Sequence, residues 1–192
     1  MLVFGPMLVF QGCTVSSVNP LYDEGNIANS HPDPDVSFDQ SLIGSWTATY
    51  EKCTTLLTIT AKDQVYDLRS SDHGEGCGGE KSHYQAVLVN LDSHYFLDLS
   101  PVDADVCAMC LARHEIYLAK FDKTTFSITP LDSDWLKKSL EAKTVTLATV
   151  AGHLDTITAL SKDLKAFCRE FADSAEVFKP DTTETLKRKL GS

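Results

Sequence analysis

Basic residues are scarce in this chain. It carries 17 Lys and Arg against 27 Asp and Glu in 192 residues, a formal net charge of -10. Nucleic-acid binding rests on Lys and Arg at phosphates, and docking on anionic lipid needs a basic patch, so the balance argues against both. No stretch reaches the roughly 18 consecutive apolar residues of a membrane-spanning helix. There is no P-loop, no G-x-G-x-x-G, no H-E-x-x-H and no G-x-S-x-G elbow, so the readiest signatures of phosphate, dinucleotide, zinc-hydrolase and serine-hydrolase chemistry are missing. The histidines (His31, His73, His83, His94, His114 and His153) are scattered rather than paired. No internal repeat beyond hairpins is visible, and no catalytic signature emerges.

Short strand-like segments dominate residues 43 to 130. They read IGSWTATYE, TTLLTITA, QVYDLRS, SHYQAVLVNL, HYFLDLS, ARHEIYLAKF and TTFSITPL. Thr, Val, Ile, Tyr and Phe are dense here, as half-buried pleated surfaces favour. The joints Lys62-Asp63, Asp92-Ser93 and Asp122-Lys123 are short and polar, which makes sequential antiparallel hairpins and hence an up-and-down meander. A meander this long hides its edges by closing into a barrel or a strongly curved sheet. Leu57, Ile59 and Ala61 alternate with Thr58 and Thr60, whereas Val87, Val89 and Leu91 back onto Ala86 and Leu88. The second pattern predicts a central strand covered on both faces.

The period then changes. Residues 132–142 read as a short helix with Asp132 or Ser133 as cap and Trp135, Leu136 and Leu140 on one face. A hairpin over TVTLATV and LDTITAL follows. A second helix near 162–172 starts from Ser161 as cap, with Leu164, Phe167, Cys168 and Phe171 at i, i+3, i+4 and i+7. Residues 179–192 read as a charged tail that frays.

Residues 1–12 form an apolar run ending in Gly12, directly before Cys13. This resembles the end of a bacterial lipoprotein signal. The resemblance implies that Gly12 is the last residue removed and that Cys13 becomes the lipidated N-terminus. The plain alternative is an apolar terminal tail. Residues 13–40 are rich in Ser, Asn, Asp and Pro and read as a flexible tether. The folded domain is expected over 41–178. At its head, Gly44-Ser45-Trp46 opens the first strand and resembles the first-strand motif of the lipocalins, which implies that Trp46 closes the base of a lipocalin-like barrel. Taken whole, the chain is similar to Gram-negative lipoproteins built on such a domain. That implies a place in the bacterial cell envelope, on the outer membrane facing the periplasm.

Five further cysteines are the most chemically informative residues. In a meander, connections one, three and five share an end, and these carry Cys53, Cys77, and the pair Cys107 and Cys110. Two structural disulfides are the first reading, since export implies an oxidising compartment. Four cysteines allow three pairings, and the expectation is that Cys53 or Cys77 meets one member of the C-x-x-C pair, because tying separate loops restrains more chain. A zinc site from Cys77, Cys107, Cys110 and His114, with Cys53, His73 and His83 as further candidate ligands, is the second reading. A redox C-x-x-C is the third, although the βαβ context is missing. Cys168, on an apolar helix face, is expected to be a buried free thiol. Asp98, Asp103 and Asp105 match no EF-hand spacing and read as solvated loop charge rather than a calcium site.

The functional expectation is a non-catalytic, exported and lipid-anchored binding domain. It takes a small hydrophobic ligand or an envelope protein, uses no cofactor and binds no nucleic acid. The alternative is a metal- or thiol-dependent redox protein using the cysteine end.

Overall fold

The computed structural model describes residues 15–23, 33–77, 79, 81–102, 113–150 and 153–189. Its strands in chain order are β1 (Ser16–Ser17), β2 (Val36–Ser37), β3 (Gly44–Tyr50), β4 (Cys53–Lys62), β5 (Val65–His73), β6 (Lys81–Leu91), β7 (His94–Pro101), β8 (His114–Phe121), β9 (Thr125–Pro130), β10 (Thr149–Val150), β11 (His153–Ile157) and β12 (Glu184–Arg188). Two helices, α1 (Ser133–Glu141) and α2 (Ser161–Phe171), follow β9 and β11. The protein is mainly β, and eight strands close an antiparallel barrel of lipocalin-like architecture.

The meander is as expected: β3 to β9 pair in chain order. Tight turns set the register. Leu91 pairs with His94 across Asp92 and Ser93, both at positive φ (51° and 77°), as a type I′ hairpin requires. The closing strand is a correction. Residues beyond Pro180 were expected to fray, yet β12 lies between β9 and β3 and completes the ring. Seven strands leave two unpaired edges, and one more antiparallel segment satisfies both. Its inward residue Leu186 is fully buried.

A second correction concerns the expected flexible tether. Its described part is packed on the domain. The strand β1 pairs with β8 beyond the end of β9, and β2 pairs with β6 beyond the end of β5. Leu21 is fully buried. Asp33 and Asp35 hold the Lys165 ammonium of α2 at 2.8 and 2.7 Å. Composition does not reveal this, because the segment is held by backbone pairing and by charges that meet partners some 130 residues away.

Two apolar cores result. The inner one fills the barrel with one face of every barrel strand, including Trp46, Leu57, Leu68, Leu88, Leu97, Tyr117, Phe126 and Leu186. The outer one lies on the opposite face of β6, β7 and β8. There Val87, Val89, Phe96, Ile116 and Leu118 pack against Leu21, Leu136, Leu164 and Phe167. The helices therefore cover the barrel wall. Asp132 caps α1 by accepting from Trp135 N–H at 2.6 Å. The helix α2 starts at Ser161 without a side-chain cap, its N-cap being Leu160, so Ser161 is its first residue rather than its cap. The hairpin expected from 144 to 160 shortens to β10 and β11 and extends a branch of sheet, β8-β1-β11-β10, off the barrel.

Candidate functional site at the disulfide end of the barrel

The two ends of the barrel differ in chemistry. At the base, Trp46 is fully buried, and its Nε1–H donates to Leu42 O at 2.9 Å. The Arg188 guanidinium lies 4.1 Å from the ring centroid. It also donates to the carbonyls of Lys123 (2.7 Å), Ile43 (3.0 Å) and Ser41. Three loop carbonyls and one ring are thus tied to one cation, as strong charge-assisted and cation–π contacts allow. Gly44 has φ +138°, and a Cβ there would lie 2.6 Å from the Arg188 guanidinium. The Gly-Ser-Trp spacing therefore serves the base of the barrel, and the sequence reading missed its partner Arg188.

The opposite end carries the first, third and fifth connections, and Cys53 and Cys77 meet there in a disulfide with Cα atoms 5.7 Å apart. This corrects the expected pairing with the C-x-x-C. The strands β4 and β5 are direct neighbours, with Thr54 opposite His73, so the chain just past β5 turns back over the Glu51-Lys52 turn. Gly74, at φ +137°, makes that approach possible, since a Cβ there would strike Lys52 O and the Cys77 sulfur. Cys13, Cys107 and Cys110 lie outside the described residues. A sulfur held in a disulfide is not a thiolate ligand, so the alternative zinc set loses Cys77. Its His114 faces the outer wall instead, buried, with Nδ1 2.7 Å from Asp98. His73 bonds Ser71 and His83 bonds Asp67 on the barrel exterior. Among the described residues no three metal-ligating side chains cluster.

Inside the barrel, toward the disulfide end, the inward faces turn polar. Above Leu57 stands Thr55, whose hydroxyl donates to Asp72. Above Ala86 stands Tyr84. Above Ala119 stand Tyr117 and then Glu115, with the Tyr117 hydroxyl donating to Glu115 Oε2 at 2.9 Å. Glu184 precedes Leu186 by two residues on β12. Period two puts all of them on the lumen side, and Tyr50 continues the Trp46 and Ala48 row to the rim. Burial pushes the Glu115 carboxyl above 4.5, against the Tyr117 hydroxyl and Arg113, which pull it down. Burial and the Glu115 charge push Tyr84 up to about 12, and raise Tyr117 as well. The lumen therefore has an apolar floor and an aromatic, acidic upper wall. The pattern Glu115-x-Tyr117-x-Ala119 was present in the sequence. Without the closed ring its inward side could not be told from its outward side.

A nucleophile with its base is not assembled among the described residues. Cys168 is a buried free thiol, as expected, and burial beside Asp98 raises its pKa, which suppresses the thiolate. Ser100 Oγ stands 3.2 Å from His114, but on the same Nδ1 that faces Asp98. A relay needs the nucleophile and the orienting carboxylate on opposite ring nitrogens. No protein-family model, no curated protein and no solved structure matches the chain.

Proposed function

We propose that the protein is a non-catalytic binding domain, exported and held in the cell envelope by a lipid on Cys13. Its ligand is a small, largely apolar molecule, or a segment of an envelope partner, received at the disulfide end of the barrel. One observation carries the reading: the lumen changes from a filled apolar floor around Trp46, Leu57 and Phe126 to an upper wall of half-buried Tyr84 and Glu115, with Glu115 accepting from the hydroxyl of the buried Tyr117. Such a gradient suits a ligand with an apolar body and a few polar handles, as small-molecule sites in barrel ends do. The Cys53–Cys77 bridge fits an oxidising compartment and holds the loop over that end.

The test is native mass spectrometry of the protein purified from a Gram-negative host, before and after incubation with envelope lipid extract. The reading expects a bound small molecule that is lost from a Tyr84→Ala, Glu115→Ala double variant. A barrel that never carries a ligand, or one whose occupancy ignores both changes, overturns the ligand half. Fractionation of wild type and Cys13→Ser checks the anchor. A wild type recovered free of membrane overturns it.

A further inference from the structure

The sheet branch β8-β1-β11-β10 ends at β10, which among the described residues pairs only with β11. Its outer edge continues N-terminally into residues 144–148. Ala148 O accepts from the N–H groups of Thr158 and Ala159, and Thr144 and Val145 donate to Ser139 O. Between these ties, Thr146 and Leu147 make no backbone hydrogen bond among the described residues. An edge strand with unpaired backbone groups running into it is a template for another strand.

A groove of about 620 Å³ runs alongside, between residues 144–148 and α2. Its helical wall presents Asp163, Ala166, Phe167, Glu170 and Phe171. The apolar part is an aromatic cluster: Phe167 and Phe171 have centroids 5.0 Å apart, and Trp135 lies 5.2 Å from Phe171. Leu160, next to the lining residue Ala159, is 59% exposed. The charged groups of the lining are Asp163 and Glu170, seven residues apart and hence about 10 Å apart along one helix face. Both are exposed, and neither is in an ion pair among the described residues.

We propose that this groove takes an extended, basic and apolar segment of a partner protein, added as a strand along residues 146–150. The edge selects an extended main chain. The Phe167–Phe171 wall selects apolar side chains, and Asp163 with Glu170 selects Lys or Arg. Alternate residues of a strand lie about 6.6 Å apart on one face, so basic residues separated by two to four positions reach both carboxylates. A second copy of this chain, at net charge -10, brings the wrong sign. The site is separate from the barrel end, and it stands or falls independently of the ligand reading there.

The test uses the full chain with fluorescently labelled hexapeptides in anisotropy titrations, one alternating Val and Lys and one alternating Val and Glu. The Val-Lys peptide is expected to bind, and the Val-Glu peptide is not. Asp163→Lys with Glu170→Lys should weaken the Val-Lys peptide by about tenfold or more, as lost charge complementarity does. Thr149→Pro, at a non-hydrogen-bonded position opposite Ile157 where the N–H faces away from β11, should weaken it too, while Trp135 fluorescence reports that the fold is intact. Equal binding of both peptides, no binding of either, or indifference to both variants overturns the proposal. Self-association that the charge reversals abolish also overturns it, in favour of a second copy.

Discussion

Each of the two cores holds one tryptophan, and the two sites are built on different terms. Trp46 sits inside the barrel, fully buried, in a cluster made by one face of consecutive strands. Trp135 sits on α1 at the edge of the outer core, partly buried, against Phe167 and Phe171 of α2. The inner core is assembled by strands that follow one another in the chain, closed by the one distant strand β12. The outer core gathers residues from 15 to 178, and much of its cover is held by a few ion pairs and two-residue strands. The difference teaches that β6, β7 and β8 are a shared wall. They are apolar on both faces because each face seals a different core.

That comparison breaks most sharply at Trp46. Trp46→Ala is expected to cost about 3–5 kcal/mol, as loss of a large buried aromatic does. Chemical denaturation should show both cores failing together, since the outer core needs the barrel wall. Removing the Cys53–Cys77 bridge with paired Ser substitutions should cost about 2–4 kcal/mol through the loop it closes. The loss should appear in thermal melts without a change at Trp135.

Lys165→Met strikes the outer core alone. It leaves the buried Asp33 without its ammonium, a cost of about 1–3 kcal/mol. Hydrogen exchange should rise first in residues 33–37 and in α2, and Trp135 should respond before Trp46. If both tryptophans respond at once, the two cores are one cooperative unit. The same variant has a pH signature. Burial raises the Asp33 carboxyl, but Lys165 and the N–H groups of Asp23 and Asp35 outweigh it and hold its pKa below 3.8. A lowered folded value stabilises above 3.8, and that contribution is lost as pH falls through the folded value. Lys165→Met should therefore flatten the acid limb of the stability curve.

The smallest effect is expected at Glu115. Its raised value means that stability declines as pH rises from about 4.5 through the folded value. Glu115→Gln keeps an acceptor for the Tyr117 hydroxyl and should remove that decline. A slight gain in stability at neutral pH, read by denaturant titration, is the expected outcome.

The seven strands of the meander, their order, the helix near 132–142 and the buried thiol of Cys168 were legible, because each leaves a local period or a turn signal. Strand β6 announced its double burial through Val87, Leu88 and Val89. The closing strand was not legible. Its one buried residue, Leu186, stands in a run of charges, and only the gap between β3 and β9 makes that run a strand. The acidic and aromatic upper wall was half legible: the residues alternate visibly, but alternation assigns sides and not which side is inside.

Local chemistry, then, determined the pieces of this protein: pleated segments of period two, tight polar turns, two amphipathic helices and cysteines spaced along odd-numbered connections. Tertiary structure decided how the pieces meet. It chose Cys77 for Cys53, set Arg188 over Trp46, and laid residues 15–23 and 33–37 against the wall instead of leaving them free. The reason is physical. Period and turn energies act over a few residues and are written in them. Closure, by contrast, is settled by which distant edge or charge is left unsatisfied once the barrel exists.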